Sequence, residues 1–310
     1  MEMARMRFEV TPLGTGAALA ARGRHPSAQL VNLHGRLFLL DCGEGTQERL
    51  RQAAVNFGAI EQVFISHLHG DHYLGLMGMI SSMHLQGRTT PLQVHGPAEL
   101  KEVLDLQLRV SKTWLRFPLH FHATEHRTGA LLFADERMEV TALALDHRLE
   151  CTGFLVRERP GLRHLRKEVL AVVPTWARQS VKEGQDLVLP DGRTWANADL
   201  TTDPHPVRSY AYCSDTAYLP ELASALQGVD LLYHEATFTE AMLARAKETG
   251  HSTARQAALL ALAAGARQLL LGHFSSRYKS SVPLVEEARD LFPATLAAEE
   301  GVTYAVGGTC

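Results

Sequence analysis

The stretch Ser66–His72, SHLHGDH, gathers His67, His69, Asp71 and His72 into six consecutive positions, with Gly70 among them. In a chain with 16 histidines, such a run could be a solvated loop. Its setting argues otherwise. The preceding EQVFI (Glu61–Ile65) reads as a strand, so these side chains hang from a strand's carboxyl end. Three further residues share that placement: His147 just after VTALAL, Asp215 just after YAYC and His273 just after LLLG. Ligand-binding residues in open α/β sheets collect at the carboxyl ends of strands. Chance explains one histidine-rich turn far better than four separate strand ends.

Seven such ligands are too many for one tetrahedral ion, which takes four. They suit two ions with Asp215 shared. His67, His69 and His147 with Asp215 would hold one ion, and Asp71, His72 and His273 with Asp215 the other. Imidazole with carboxylate favours Zn²⁺ or Mn²⁺, and the lack of cysteine at these positions argues against a purely structural zinc. Two ions roughly 3.5–4 Å apart would activate a bridging water and steady both oxygens of a phosphodiester displacement. Gly70 is expected to let the turn curl around one centre.

The rest of the chain bounds this reading. Of 310 residues, 45% are hydrophobic and 21% charged, which is ordinary for a soluble globular protein and enough for a substantial core. MEMARMRFEV lacks the apolar run of a signal peptide, and Gly265, Arg267 and Gln268 break the most apolar segment, so no membrane span is expected. Cys42, Cys151, Cys213 and Cys310 are scattered without a CxxC pair, as in a cytoplasmic protein with reduced thiols. A net charge of −3 disfavours broad, non-specific nucleic-acid binding.

Strands are expected at Arg7–Leu13, Leu37–Leu40, Gln62–Ser66, Leu92–His95, Glu139–Leu145, Ser209–Cys213, Asp230–Tyr233 and Gln268–Leu271. Helices follow Gly-Glu-Gly-Thr at 43–46 and the Thr253–Gln256 capping box, the latter closing at Gly265. Alternating strands and helices predict an α/β architecture of packed layers. Between Arg157 and Glu183 seven basic residues face three acidic ones, a local charge of +4. A Pro-Gly break begins this segment and a hairpin signal at Pro190-Asp191-Gly192 follows it, as in an insertion. On charge alone, a solvated helix and loop fits equally well.

LLDCGEGTQ (39–47), HLHGDHYLGL (67–76), DHRLECTGF (146–154), YCSDTAY (212–218), HEATF (234–238), HSTARQAA (251–258) and GHFSSRY (272–278) follow one another along nearly the whole chain. SHLHGDH resembles the H-x-H-x-D-H motif of the metallo-β-lactamase superfamily, and the full series resembles its short-form ribonuclease Z branch, the tRNA 3′-processing endonucleases. The resemblance implies a four-layer αββα sandwich, a single domain over 1–310 with an inserted basic arm at 155–206 that binds precursor tRNA. It implies two Zn²⁺ per chain, with Mn²⁺ as the alternative, held by the seven ligands above, and usually a homodimer. By the same resemblance, Asp71 also accepts a proton from the attacking water. His251 is the candidate proton donor, oriented by Glu235; Asp41 braces the ligand loop, and Ser275 and Arg277 face the substrate. A helix N-terminus beside His251 is expected to lower its pKa. The chain departs from the usual pattern in the arm, where VVPTWARQ (172–179) replaces a Gly-Pro motif.

Rival readings are another hydrolase of the superfamily acting on small phosphodiesters, and a non-catalytic RNA-binding member. All seven ligand positions being filled disfavours the second. A dinucleotide site at LGTGAAL is weaker still, because Leu19 stands where the third glycine of GxGxxG belongs.

Overall fold

The computed structural model describes residues 7–308; Cys310 and Met1–Met6 lie outside the described residues. The chain forms two compact units. One comprises the residues up to 133, 140–156 and those from 208 onward; the other takes 134–139 and 157–207.

The first unit is built on two seven-stranded sheets. One runs in the order Tyr304–Ala305, Phe8–Gly14, Ala28–Leu33, Arg36–Cys42, Ile60–Phe64, Leu92–Gly96 and Leu119–Ala123. The other runs Thr295–Ala297, Gln268–Gly272, Leu231–Glu235, Ser209–Cys213, Cys151–Glu158, Met138–Leu145 and Leu131–Ala134. Its strands at 209–213, 231–235 and 268–272 pair in parallel, and the first two are buried at every residue. That is why they read as apolar runs without alternation.

Aromatic side chains join the inner faces of the sheets. Phe64 meets Phe154 at 5.4 Å between centroids, and the Tyr212 hydroxyl donates to Asp41 at 2.7 Å. On one outer face, Leu50, Leu76, Ile80 and Leu104 from helices pack onto Leu39 and Val63. On the other, Ala257, Leu260 and Leu284 cover Leu232 and Leu271. Helices, sheet, sheet and helices are the four expected layers.

Every expected strand is present within two residues of its limits. In the two sheets, Ala28–Leu33, Leu119–Ala123, Leu131–Ala134, Cys151–Glu158, Thr295–Ala297 and Tyr304–Ala305 are additional. Gln29, Asn32, His120 and His122 interrupt the apolar pattern of two of them. Gln29 is nonetheless buried, its amide oxygen accepting from the Tyr210 hydroxyl. The helix Ala254–Ala263 carries the full Thr253–Gln256 capping box and is followed by Gly265 at φ 59°. Among the described residues, no helix is long and apolar enough to cross a membrane.

The second unit has its own small core of Val173, Ala177, Val181, Leu187 and Leu200. The Asn197 amide ties that core together by donating to the Val181 and Gln185 carbonyls at 2.6 and 2.8 Å. The Asp191-Gly192 turn joins Leu187–Val188 to Thr194–Trp195 as an antiparallel hairpin. Residues 134–139, on the far side of a strand in sequence, belong to this unit too and carry no sequence signal for it.

Candidate metal centre

In the first unit, the strand ends deliver their polar residues into one cavity of about 610 Å³, lined among others by His69, Asp71, His147, Asp215, His251 and His273. The histidine-rich stretch leaves Phe64 and turns into a single helical turn, Gly70–Tyr73. Gly70 does not need a left-handed backbone there; a Cβ would instead sit 2.8 Å from Leu74 Cδ1. Leu74 is exposed and its side chain can give way, so neither the expected curl nor crowding requires glycine here.

Two sets of atoms face each other across Asp215. In the first, His69 Nδ1 lies 2.9 Å from His67 Nε2 and 3.2 Å from His147 Nε2. Asp215 Oδ2 stands 3.7 Å from both Nε2 atoms. In the second, Asp215 Oδ1 is 3.3 Å from His72 Nε2 and 3.1 Å from His273 Nε2. Asp71 Oδ2 closes that set at 3.4 and 3.6 Å from the same two nitrogens. Donors about 2.0–2.1 Å from a tetrahedral centre stand about 3.3–3.4 Å apart, so both sets have the edge lengths of a metal cage.

Hydrogen bonding supports the fit. His72 Nε2, His273 Nε2 and Asp215 Oδ1 are buried without a hydrogen-bond partner, a costly arrangement unless a cation takes their lone pairs. The opposite ring nitrogens of His67, His72, His147 and His273 are engaged. His67 Nδ1 meets Ser66 Oγ at 3.0 Å, His72 Nδ1 donates to Asp41 Oδ2 at 2.7 Å, and His147 Nδ1 donates to the Gly250 carbonyl at 2.7 Å. His273 Nδ1 meets Thr237 Oγ1 at 2.9 Å. Such partners fix the tautomer that leaves Nε2 free to ligate. Five imidazoles and two carboxylates without cysteine make this a divalent metal site.

Charge points the same way. Burial would raise the Asp215 carboxyl, but His273 and His72 hold it well below its ordinary value. Burial would raise the Asp71 carboxyl too, but the nearness of His273 and His72 holds it low. Burial, together with neighbouring His72, pushes His67 down to about 2, so its ring is neutral.

Asp41 is fully buried at φ 57° and accepts from Ser66 N, Ser66 Oγ, His72 Nδ1 and the Tyr212 hydroxyl, all within 2.9 Å. Glu235 is also fully buried. Its Oε1 accepts from Thr216 N at 3.0 Å and His251 Nδ1 at 2.8 Å; its Oε2 accepts from Thr237 Oγ1 at 2.7 Å. The expected lowering of the His251 pKa is overturned. Burial does push it down, but the Glu235 carboxylate, by charge and hydrogen bond, outweighs that and raises it to about 9. The helix beginning at Ala254 follows three residues later, but Glu235 sets the sign.

Ser275 and Arg277 both line the cavity; Ser275 is buried and Arg277 exposed. Sequence reasoning missed Ser66, Tyr212 and Thr237, although each lies inside a quoted motif. It also missed the Ala18 amide, which donates to Asp71 Oδ2 at 2.7 Å.

A model of the anti-Pycsar protein Apyc1 matches residues 8–140, and one of the beta-lactamase superfamily domain matches residues 168–274. A ribonuclease Z of Bacteroides fragilis is 45% identical over 298 residues, covering 96% of this chain and 98% of that protein. A ribonuclease Z of Porphyromonas gingivalis is 44% identical, covering 94% and 97%. The crystal structure of human tRNase Z, short form, superposes with a TM-score of 0.71 at 29% identity, covering 96% of this chain and 99% of that one.

Proposed function

The chain belongs to the ribonuclease Z family, and we propose on that footing that it removes the 3′ trailer from precursor tRNA. It is an endoribonuclease that leaves a 3′-hydroxyl on the tRNA. The observation that carries this reading is the pair of ligand sets sharing Asp215 in a chain 45% identical to a ribonuclease Z along its length.

His67, His69, His147 and Asp215 Oδ2 would hold one Zn²⁺, and Asp71, His72, His273 and Asp215 Oδ1 the other, with Mn²⁺ as the alternative. When bound, such ions polarise the phosphoryl oxygens and sharpen a water's acidity, contributions of several kcal/mol. The rest falls to the protein. Asp71, kept ionised, accepts the proton that the attacking water loses at its carboxylate. As the P–O3′ bond breaks, His251 delivers a proton from Nε2 to the departing 3′ oxygen. Its Nδ1 is committed to Glu235, which holds the ring and keeps it protonated at neutral pH. Asp41 restrains His72 and the backbone at Ser66. Ser275 and Arg277 are placed to meet a phosphate, Arg277 by a two-pronged contact.

The 157–207 unit is assigned to binding the tRNA body through phosphate contacts. Exposed Lys167, Arg166 and Trp176 favour that reading. A homodimer and a cytoplasmic setting complete it, and sedimentation velocity tests the dimer. The function is tested by incubating the zinc-loaded protein with 5′-end-labelled precursor tRNA and mapping the cut. Cleavage near the end of the acceptor stem, leaving a 3′-hydroxyl, is expected. No cleavage by a folded, metal-loaded sample that hydrolyses bis(p-nitrophenyl) phosphate would refute it in favour of a small-phosphodiester hydrolase.

A further inference from the structure

The LGTGAAL segment is not a nucleotide loop, and its glycines serve another purpose. After Phe8–Gly14 the chain makes a long excursion and returns at Ala28–Leu33. Its two ends lie backbone to backbone. A Cβ at Gly14 would sit 1.6 Å from the Pro26 carbonyl oxygen, and Gly16 N donates to the His25 carbonyl at 2.9 Å. The tip, Ala17–Ala20, lines the metal cavity. There Ala18, at the left-handed φ of 66°, donates its N–H to Asp71 Oδ2, the oxygen that faces His72 and His273.

A single carboxylate from the far end of the chain fastens both ends of this loop. Glu300 Oε1 accepts from Thr15 N at 3.1 Å, Thr15 Oγ1 at 3.3 Å and His25 N at 2.7 Å. Glu300 Oε2 accepts from His25 Nδ1 at 2.7 Å, with Arg49 Nε at 3.6 Å. The side chain is only 9% exposed, so these bonds form with little competition from water. Two non-glycine residues of the loop, Ala18 and Arg22, hold positive φ. Short polar loops keep such conformations only where surrounding contacts over-determine them.

We infer that Glu300 is a positioning residue for the metal centre: through the loop 15–25 it aims the Ala18 amide at Asp71 and so fixes the carboxylate facing His72 and His273. The inference rests on the reading of Asp71 as ligand and proton acceptor. It makes the Ala18 amide an outer partner of the ligand, a kind of contact whose loss typically weakens metal binding by about 10–100-fold.

The test uses the full chain with Glu300→Ala and Glu300→Gln. Trypsin cleavage after Arg22 and Arg24 reads the loop, Zn²⁺ titration reads the centre, and bis(p-nitrophenyl) phosphate reads kcat and KM. Glu300→Ala should be cut faster, should bind the ion on the Asp71 side about tenfold more weakly, and should lose about tenfold in kcat with KM little changed. Glu300→Gln should recover most of each, since its amide oxygen still accepts from Thr15 and His25 backbone. A faster-cut Glu300→Ala with unchanged Zn²⁺ titration and kcat overturns the inference. So does equal loss of both ions with no recovery in Glu300→Gln, which marks general destabilisation. Should Glu300→Ala not fold, His25→Ala must show a smaller change of the same kind, and its absence is equally fatal. Failure to cut precursor tRNA in the unmutated protein strikes the proposed function alone, because trypsin and Zn²⁺ still read the loop.

Discussion

The ligand cluster and the 157–207 unit solve opposite problems with similar side chains. In the cluster, His67, His72, Asp41 and Glu235 are at most 0% exposed, and nearly every polar atom has a partner or faces the shared centre. In the 157–207 unit, the core is five small or medium apolar residues and most charged side chains stay in water. Part of its positive charge is spent on its own structure. Arg163 binds Asp203 and Thr201 at 2.6 and 2.7 Å, and Arg178 donates to the Leu170 and Val173 carbonyls. Two of the seven basic side chains behind the sequence's +4 are thus engaged within the unit. Burial makes the cluster intolerant and geometrically exact in its demands; exposure makes the other unit a surface whose contacts add up gradually.

The largest expected effect comes from Asp215→Ala, because one carboxylate serves both ligand sets. Elemental analysis should show both ions depleted, and cleavage should fall by roughly 10³-fold or more, the equivalent of several kcal/mol. One site left full in that variant would break the symmetry drawn across Asp215.

His251→Ala should keep its metals and bind precursor tRNA almost normally, yet cleave about 10²–10⁴-fold more slowly in single-turnover assays. The sign of the pH effect follows from the raised pKa of about 9. The proton donor is present below that value and is lost as pH rises through it, and nearby cations can only bring the loss earlier. Wild-type kcat should thus decline on the alkaline side at or below about pH 9, and His251→Ala should lack that limb.

Replacing residues 160–205 by a short Gly-Ser linker should lower kcat/KM on precursor tRNA by about 10²-fold while sparing bis(p-nitrophenyl) phosphate, with a shallower salt dependence. A cut ending at Lys182 is a poor substitute, since it removes Val173, Ala177 and Val181 but strands Leu187 and Leu200. Equal loss on both substrates in a folded variant would erase the distinction between the two regions.

The smallest and sharpest test is Thr237→Val, which removes the hydroxyl between Glu235 and His273 without changing volume much. Competition with a chelator should report about 10–100-fold weaker binding on the His273 side, the His67 side unchanged, and recovery in Thr237→Ser.

The order of strand ends and the chemistry of the residues that follow them were legible in the sequence, because both depend on short windows. Apolar runs close with His67, His147, Asp215 and His273 just beyond, and a strand's end is a local property. The capping box at Thr253 is local for the same reason. Tertiary structure alone decided which atom each residue presents: His69 turns Nδ1 toward its neighbours where His67 turns Nε2, and Asp215 divides its two oxygens. It also decided the sign of the His251 shift, since Glu235 reaches the ring from 16 positions away and outweighs the adjacent helix. The partners that set these choices are distant in sequence, 171 positions for Tyr212 and Asp41 and 285 for Thr15 and Glu300. Burial makes such contacts strong, and a pattern of neighbouring residues carries no trace of them.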